Sequence, residues 1–445
     1  MRTWKPRDYQ LKGIEFVLTQ GAGALFLDPG LGKTSTILAA IKILKSQNIV
    51  QRVLIVAPLR VAYLVWPLEV RKWEQFSSLS VHVLHGRRKV PGVEADVYIV
   101  NPDGLKWLIE NYPRGYFDML VVDESTMFKN PGTTRFKQFR RYVSSFSRRY
   151  ILTGTPYPRC ISNLWSQIYL LDFGAALGSN ITQFRKEYME LSNPFVPYSW
   201  VVREGAEEEI AKKIAPLCLR MEASEHLDLP ELVVNDVIVT LPRSVQDAYD
   251  DVEEDFHHKF PSGEEVLTET AAVAGTKLRQ IANGNVYTDS GAVEHLHNEK
   301  LTALLEIIDE LQGKPVLVFY EFKHDCATIT ERIPHAVNLT AATVSELEDI
   351  EARFNAGEIS VLLAHPGSAA HGLNLQGACY TVCWYGVPWD YELYTQGILR
   401  VYRQGQRNPY VVVHRILGAN TKDMDVAQRL EDKACQERVF LKRLT

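Results

Sequence analysis

A glycine-rich turn between an apolar run and a helical stretch carries the first residues with a clear chemistry. The run 24–28 leads into the turn, and the stretch TSTILAAIKIL follows it. Glycines let backbone N–H groups close around phosphate oxygens, and the start of the next helix adds a positive dipole. A Lys-Thr pair at the end of such a turn can neutralise phosphates and ligate Mg²⁺. The predicted nucleotide-binding residues are Asp28, Pro29, Gly30, Leu31, Gly32, Lys33 and Thr34.

Two adjacent carboxylates end an apolar run further along the first half. The run MLVV is followed by Asp123 and Glu124. Phosphoryl transfer to water needs a group that holds the metal and a group that orients and deprotonates the water, and these residues suit the two roles in that order. Asp123 is therefore predicted to share Mg²⁺ with Thr34, and Glu124 to act as the base. A solvated strand end is the alternative interpretation, since an apolar run ending in Asp-Glu is common.

Two arginines in the second half could complete this chemistry. Arg400 and Arg403 lie on a helix predicted to begin near Asp390, and their spacing of three places them on one helical face. A planar guanidinium can stabilise the charge that grows on a transferred γ-phosphoryl group. On a separate domain the arginines could do so only when the domains close. A basic, solvated helix face is the alternative.

The elements that must position these residues alternate along the chain. Apolar runs predict buried strands, and helical stretches lie between them; this alternation predicts, in each half, a mostly parallel sheet with helices on both faces, an α/β fold. The predicted strands are 24–28, 53–57, 97–100, 119–123 and 150–153 in the first half, and 316–320, 359–364, 380–385 and 410–416 in the second. The predicted helices are 33–46, 61–75, 133–146, 162–171, 298–312, 344–356, 390–404 and 421–443.

The length of the chain predicts two domains, and the two halves of the chain differ in net charge. A chain of 445 residues is too long for one core. The domains are predicted as 1–228 and 229–445, with a joint near Leu229-Pro230 and a helical insertion at about 244–284. Residues 1–225 carry 30 lysines and arginines against 21 acidic residues, whereas residues 226–445 carry 19 against 33. A basic first half can face nucleic-acid phosphates, although surfaces that simply differ in charge are an equal alternative.

Membrane and secretory features are missing from the sequence. No run approaches the roughly 18 apolar residues of a membrane span, and the N-terminal residues contain no apolar signal segment. The six cysteines are scattered without metal-ligand spacing. Structural thiols in a reducing cytoplasm, and no membrane partner, are therefore expected.

Taken in order, these elements resemble the Swi/Snf-type DNA translocases of helicase superfamily two over nearly the whole chain. The specific matches are the Thr-Gly-Thr-Pro block and the long stretch that ends in the paired arginines. The matching motifs are Arg7-Asp8-Tyr9-Gln10 (motif Q), Asp28 to Thr34 (I), Ala57-Pro58-Leu59 with Trp66 (Ia), Asp123-Glu124-Ser125-Thr126 (II), Leu152-Thr153-Gly154-Thr155-Pro156 (III), Val316 to Tyr320 (IV), His371-Gly372-Leu373-Asn374-Leu375 (V), and Trp389, Gln396, Arg400, Arg403, Gly405 and Gln406 (VI).

The chain departs from the family pattern at several positions. Ser125-Thr126 replaces the usual Ala-His, which we expect to loosen the coupling between hydrolysis and domain movement. Tyr402 stands where a His is usual, and Ala369-Ala370 stands where paired glycines are usual. A basic stretch common near residue 220 is reduced to Arg220. The sequence shows no chromatin-reading or zinc module, and this lean build resembles a bacterial or phage member.

The resemblance implies an enzyme with two RecA-like lobes that hydrolyses ATP with Mg²⁺ and moves along duplex DNA, remodelling DNA or protein–DNA complexes. It implies that Gln10 reads adenine, that Gln396 belongs to the nucleotide site, and that Lys33, Asp123, Glu124, Arg400 and Arg403 are catalytic. Phosphate contacts along the DNA backbone would be independent of sequence; the candidates are Pro58, Arg60, Asn101 and Asn374.

Three alternatives stay open at this point. The first is a strand-separating or branch-migration helicase, which would unwind a forked duplex. The second is an RNA-dependent ATPase, which RNA would stimulate more strongly than duplex DNA. The third is a nucleotide-gated binding module with little turnover, which the five candidate catalytic residues disfavour.

Overall fold

The chain folds into two compact units in the computed structural model, which describes residues 2–157, 160–192, 200–369 and 373–444. Unit one contains the chain up to Asp228 and also Ala434–Thr445, and unit two is Leu229–Lys433. The boundary after Asp228 is the expected one, but the C-terminal segment differs from the expectation. It belongs to unit one because Phe440 and Leu441 are buried in the hydrophobic core of that unit.

A seven-stranded parallel sheet forms the centre of unit one. Its strands lie in the order β3-β4-β2-β5-β6-β1-β9, and the central ones are continuous apolar runs because helices cover both faces. The strands of unit one are β1 Ala22–Leu27, β2 Val53–Val56, β3 Val81–Val83, β4 Val97–Val100, β5 Met119–Asp123, β6 Arg148–Thr153, the hairpin strands β7 Met189–Leu191 and β8 Trp200–Val202, and β9 Cys218–Met221.

The helices of unit one follow the strands and return along the sheet. A single helix is predicted over 61–75, but the structure breaks it at Val65, one residue before a new helix whose first turn contains Pro67. Proline lacks the N–H that a continuing helix needs. The helices are α1 Asp8–Thr19, α2 Lys33–Ser46, α3 Leu59–Leu64, α4 Trp66–Lys72, α5 Leu105–Asn111, α6 Thr134–Val143, α7 Ser162–Asp172, α8 Ile181–Tyr188 and α9 Ala206–Ile214.

Unit two contains a second parallel sheet, of six strands in the order β10-β19-β18-β15-β17-β16. With the sheet of unit one, it confirms the predicted fold class. Short antiparallel hairpins lie outside this sheet. The strands of unit two are β10 Glu231–Val239, β11 His257–Lys259, β12 Glu265–Leu267, β13 Asn285–Tyr287, β14 Val293–His295, β15 Val316–Phe319, β16 Val337–Asn338, β17 Val361–Ala364, β18 Thr381–Trp384 and β19 Tyr410–Gly418.

The insertion expected at about 244–284 is only partly helical. It consists of α10 and α11 with the β11–β12 hairpin between them. None of the described helices is both long and apolar enough to cross a membrane. The helices that begin in unit two are α10 Arg243–Glu254, α11 Ala271–Ala282, α12 Glu299–Glu310, α13 Lys323–Arg332, α14 Val344–Ala356, α15 Pro366–Ala369, α16 Tyr391–Ile398 and α17 Lys422–Lys442.

Candidate active site

The carboxyl edge of the first sheet gathers most of the predicted site residues. Strands β5, β6 and β1 are neighbours, and their registers pair Asp123 with Leu152 and Thr153 with Phe26. Because all three strands are parallel, the segments that follow them leave the sheet at the same edge. Three segments are thereby brought together, as expected for a ligand site in an open α/β sheet: the acidic pair, the Thr-Gly-Thr-Pro block and the glycine-rich turn of residues 28–34, which we call the phosphate-binding turn after its predicted role.

The phosphate-binding turn has the backbone that only glycine adopts easily. Gly30 and Gly32 have φ angles of +92° and +74°, and Gly32 is also the N-cap of α2. The ammonium group of Lys33 donates a hydrogen bond of 2.7 Å to the carbonyl oxygen of Leu27 at the end of β1. Burial lowers the pKa of Lys33, whereas the carboxylates of Glu124 and Asp123 act in the opposite direction. This lysine therefore lies within the field of the acidic pair.

Asp28, the first residue of the turn, is fixed by a buried arginine. Arg220 Nη1 lies 2.7 Å from Asp28 Oδ1 and also donates to the carbonyl oxygen of Phe26 at 3.0 Å. The second carboxylate oxygen of Asp28 accepts a 2.9 Å hydrogen bond from the backbone N–H of Ala223. The Arg220 side chain is only 6% exposed, whereas that of Asp28 is 29% exposed, so the guanidinium is the buried partner of this ion pair. It joins strand β9 to the start of the turn.

Gln10 packs against the same turn. Its amide nitrogen lies 3.5 Å from both the carbonyl oxygen of Leu31 and the hydroxyl of Ser35, and its amide oxygen accepts a hydrogen bond from the backbone N–H of Arg7. A Cβ atom on Gly32 would lie 2.4 Å from the Gln10 amide nitrogen. The structure therefore places Gln10 beside the phosphate-binding turn, and its predicted contact with adenine stays a prediction.

Asp123 is a buried carboxylate held by a tryptophan. The indole nitrogen of Trp66 donates a 2.9 Å hydrogen bond to Asp123 Oδ2, and the backbone N–H of Glu124 donates to Oδ1 at 3.1 Å. Burial, and then the charge of Glu124, raise the pKa of Asp123, while the Trp66 hydrogen bond and Lys33 lower it. The indole thus favours the charged form, which is the form that ligates a metal ion.

Glu124 adopts a backbone conformation that is uncommon for a residue with a side chain. Its φ and ψ angles are 52° and 61°, in the left-handed region. Such a conformation costs about 1–3 kcal/mol and persists only where the surroundings determine it. It turns the chain sharply at the end of β5, where the short 3₁₀ helix Ser125–Phe128 begins. Conformations of this kind concentrate at functional sites.

The loop after β6 packs directly on the phosphate-binding turn. A Cβ atom on Gly154 would lie 3.0 Å from the ring of Pro29, so a side chain there would require the proline ring to shift by a few tenths of an ångström. The hydroxyl of Thr153 accepts a hydrogen bond of 3.1 Å from the backbone N–H of Thr155. The Thr-Gly-Thr-Pro block therefore contacts the turn that is predicted to bind phosphate.

The oxygen donors at this edge fit Mg²⁺. Mg²⁺ prefers oxygen ligands, keeps several waters, and is usually held by one or two carboxylates together with substrate phosphates. Thr34 supplies a hydroxyl in the first turn of α2 and Asp123 supplies a buried carboxylate kept in place by Trp66. Two protein oxygens of this kind suit an ion that is shared with a triphosphate.

The arginines of unit two do not lie on a helix, so that prediction is wrong. Helix α16 ends at Ile398, before Arg400 and Arg403. Beyond Ile398 the backbone N–H groups of Arg400 and Val401 bond to the carbonyl oxygens three residues earlier, and the carbonyl oxygen of Arg400 accepts a 2.9 Å hydrogen bond from the backbone N–H of Leu375, which lies in another segment. The Arg400 guanidinium donates to the carbonyl oxygens of Gln396 and Leu373 at 3.0 and 3.3 Å.

The other predicted residues of unit two are placed as follows. Burial lowers the pKa of Arg403, and the charge of Glu351 opposes this shift. Gln396 is buried on α16, where its amide nitrogen lies 3.4 Å from a carboxylate oxygen of Glu392. In motif V, Ala370, His371 and Gly372 lie outside the described residues. Asn374 follows them, and its backbone N–H donates to a carboxylate oxygen of Glu351 at 3.0 Å.

Two supporting residues could not be assigned a role from the sequence. Trp66 lies 57 positions from Asp123 and Arg220 lies 192 positions from Asp28. Trp66 matches the family pattern and Arg220 is what is left of a basic stretch usual there, but no spacing indicates which carboxylate each contacts. A buried Trp donor and a buried Arg both require a polar partner, and only the fold shows which partner is near.

Two family models match the chain, one mainly in its first half and one in its second half. The SNF2-related domain matches residues 9–289, and the helicase conserved C-terminal domain matches residues 299–405. The first match covers more than half of the chain and includes the phosphate-binding turn, the acidic pair and the Thr-Gly-Thr-Pro block. The second includes Gln396, Arg400 and Arg403.

The chain is also similar to individual proteins over most of its length. The putative protein p41 of Acyrthosiphon pisum secondary endosymbiont phage 1 is 31% identical over 99% of both chains. The human DNA excision repair protein ERCC-6-like is 25% identical over 95% of this chain, which spans 40% of the human protein. A solved structure, the Sulfolobus solfataricus SWI2/SNF2 ATPase core in complex with dsDNA, is 21% identical and covers 99% of the chain with a TM-score of 0.45.

Proposed function

Since the chain belongs to the SNF2-related family, whose members are helicase-like, DNA-dependent ATPases of superfamily two, we propose that it uses ATP hydrolysis to move along duplex DNA. The observation that carries this proposal is the gathering of Lys33, Asp123 and Glu124 at one edge of the first sheet. Moving along a duplex would let the enzyme remodel DNA or displace proteins from it.

The proposed hydrolysis uses groups of unit one in distinct roles. Backbone N–H groups of the glycine-rich turn and the start of α2 bind the phosphates, and Lys33 neutralises their charge. Thr34 and Asp123 would hold Mg²⁺, which when bound would neutralise negative charge on the phosphate oxygens. Glu124 orients that water and takes its proton. The left-handed backbone of Glu124 supports this role because it sets the direction of the side chain at the strand end.

Unit two is proposed to contribute the groups that stabilise the transition state. Arg400 and Arg403 would act on the growing γ-phosphoryl charge, and Gln396 would belong to the same nucleotide site. The hydrogen bonds from the Arg400 guanidinium to two backbone carbonyls support a fixed orientation of this side chain. A guanidinium that is oriented before the reaction loses less entropy when it binds an anion.

The proposed DNA contacts lie on the same edge of the first sheet as the hydrolytic residues. Pro58 and Arg60 follow β2, and Asn101 follows β4, so all three extend from the carboxyl ends of neighbouring strands. Such contacts would be made mainly to phosphates and would weaken steeply with salt. The excess of basic residues in the first half of the chain supports this placement.

Displacement of a third strand from a triplex tests the proposal directly, because a motor moving along a duplex removes the strand without unwinding the duplex. We expect ATP-dependent displacement by the parent protein and none by Lys33→Ala. Unwinding of a forked duplex without triplex displacement would instead identify a strand-separating helicase. ATP turnover that is the same with and without DNA, and with no displacement, would contradict the proposal.

A further inference from the structure

A buried glutamine links the turn after Glu124 to the Thr-Gly-Thr-Pro block. Gln167 lies on α7 and, like Ser125, is completely buried. The Ser125 hydroxyl donates a 2.6 Å hydrogen bond to the side-chain oxygen of Gln167. The Gln167 amide nitrogen donates to the carbonyl oxygens of Pro156 at 2.5 Å and Asn163 at 2.8 Å. One side chain therefore binds both segments.

The direction of these hydrogen bonds follows from the chemistry of the partners. Backbone carbonyl oxygens can only accept, so the amide nitrogen of Gln167 must face Pro156 and Asn163. Its oxygen is then left to face Ser125, which has a hydroxyl to donate. The amide uses its oxygen and both N–H groups, as a buried amide must if it is not to leave polar atoms without partners. This complete satisfaction makes the bridge specific for an amide.

The neighbouring residue on α7 holds the other end of the same short helix. The Ser166 hydroxyl donates a 2.6 Å hydrogen bond to the carbonyl oxygen of Phe128, the last residue of the 3₁₀ helix that follows Glu124. Helix α7 thus binds the first and last residues of this segment through Gln167 and Ser166. Of the two contacts, only that of Gln167 also reaches the Thr-Gly-Thr-Pro block.

We propose that Gln167 is a positioning residue for hydrolysis: through Ser125 and Pro156 it fixes the left-handed backbone of Glu124 relative to the phosphate-binding turn. The second link runs through the loop after β6, where Gly154 packs on Pro29. This inference rests on the proposed role of Glu124 as the group that activates water. Ser125 is one of the positions at which the sequence departs from the motif that it resembles, and the bridge uses its hydroxyl.

The test measures ATP turnover in two backgrounds. We expect Gln167→Met to lower kcat about tenfold, while KM for ATP changes less than about twofold, because an interaction that acts only in the transition state lowers kcat selectively. In the Glu124→Gln background the same substitution should lower the residual turnover less than about twofold, since there is no base left to misplace. Radiolabelled phosphate release is sensitive enough for this slow background.

Two further variants keep the result interpretable. Ser125→Ala removes only one arm of the bridge and should also lower kcat. It serves as the test if Gln167→Met does not fold. Ser166→Ala is the matched control, because it removes a buried hydroxyl from the same helix without touching the bridge, and we expect its kcat to stay within about twofold of the parent. Circular dichroism and thermal unfolding establish that each variant is folded at the assay temperature.

The outcomes separate this inference from the proposed function. Equal losses of kcat for Gln167→Met in the parent and Glu124→Gln backgrounds would overturn the positioning role, because they would indicate general damage. An unchanged kcat for Gln167→Met and Ser125→Ala, with turnover still lost in Glu124→Gln, would also overturn it but leave the proposed function standing. Full turnover in Glu124→Gln would remove the proposed base, and the inference with it.

Discussion

Trp66 and Asp123 are joined by a hydrogen bond of 2.9 Å from the indole nitrogen to Oδ2 of the carboxylate. Both side chains are buried, and burial together with the charge of Glu124 raises the pKa of Asp123. The indole is therefore one of the few groups that keep this carboxylate charged and oriented. Its contribution should be visible in the response of the enzyme to Mg²⁺.

Trp66→Phe should raise the Mg²⁺ concentration needed for half-maximal ATP turnover by about 10- to 100-fold. This is the usual effect of losing a group that orients a metal ligand. The measurement is ATP turnover as a function of free Mg²⁺ concentration. Trp165→Phe is a matched control, because this equally buried indole donates to the carbonyl oxygen of Gly178. Identical Mg²⁺ dependence in the two variants would show that the Trp66 hydrogen bond has no role at the metal site.

Glu124→Gln should lower ATP turnover by about two to four orders of magnitude, because it removes the general base. Binding of ATP should stay near that of the parent, since the phosphate-binding turn and Lys33 are intact. Equilibrium binding of a fluorescent ATP analogue and steady-state turnover check the two parts. Glu15→Gln changes an exposed glutamate on α1 and serves as the control. Turnover comparable to that of the control would remove Glu124 from the role of base.

Gly32→Ala should weaken ATP binding at least about tenfold. The positive φ of this position costs an alanine about 1–2 kcal/mol. The alanine Cβ would also lie 2.4 Å from the Gln10 amide nitrogen. The matched variant is Gly21→Ala, where a Cβ would meet no atom within 4 Å. We expect that variant to bind ATP like the parent. Equal binding by both variants would show that the turn does not need its left-handed glycine.

The central strands could be predicted from the sequence because they are continuous apolar runs. The bounds of β4 and β5, and of helices α2 and α14, agree with the prediction. The edge strands β3, β9, β10 and β16 lie outside the predicted set; β3, β9 and β16 are only two to four residues long, too short to form a recognisable apolar run. Strand β9, for example, contains Arg220, whose burial depends on a partner 192 positions away.

Contacts between segments that are far apart in the chain could not be predicted from the sequence. The pairing of Ser125 with Gln167, like that of Trp66 with Asp123, depends on how helices pack on the sheet and leaves no periodic pattern. The helix predicted over 390–404 ends early, at Ile398, and the Arg400 carbonyl beyond it accepts a hydrogen bond from Leu375 in a distant segment. The phosphate-binding turn was predictable because its residues are contiguous.

His297 should make unit two less stable below neutral pH. Burial, and then Lys300, lower its pKa to about 4, from 6.5, against the opposing effect of its hydrogen bond to the Ile281 carbonyl. The folded unit favours the neutral ring, whereas the unfolded chain binds a proton below pH 6.5. The stabilisation is therefore complete above this pH and is lost as the pH falls towards about 4, by up to roughly 3 kcal/mol.

His297→Gln isolates this contribution, since glutamine can donate a hydrogen bond but does not titrate. The free energy of unfolding in urea should fall less between pH 7.5 and pH 5 in the variant than in the parent. Burial also lowers the pKa values of His365 and His414, but these residues are present in both proteins and their effects cancel. The same pH dependence in both proteins would contradict the assignment.

Duplex DNA is the track that we propose to stimulate ATP turnover. The most direct measurement is the ATPase rate of the parent protein with duplex DNA, single-stranded DNA and RNA of equal length at one salt concentration. We predict the highest rate with duplex DNA and only the basal rate with RNA. A rate with RNA that equals or exceeds the rate with duplex DNA would contradict the claim.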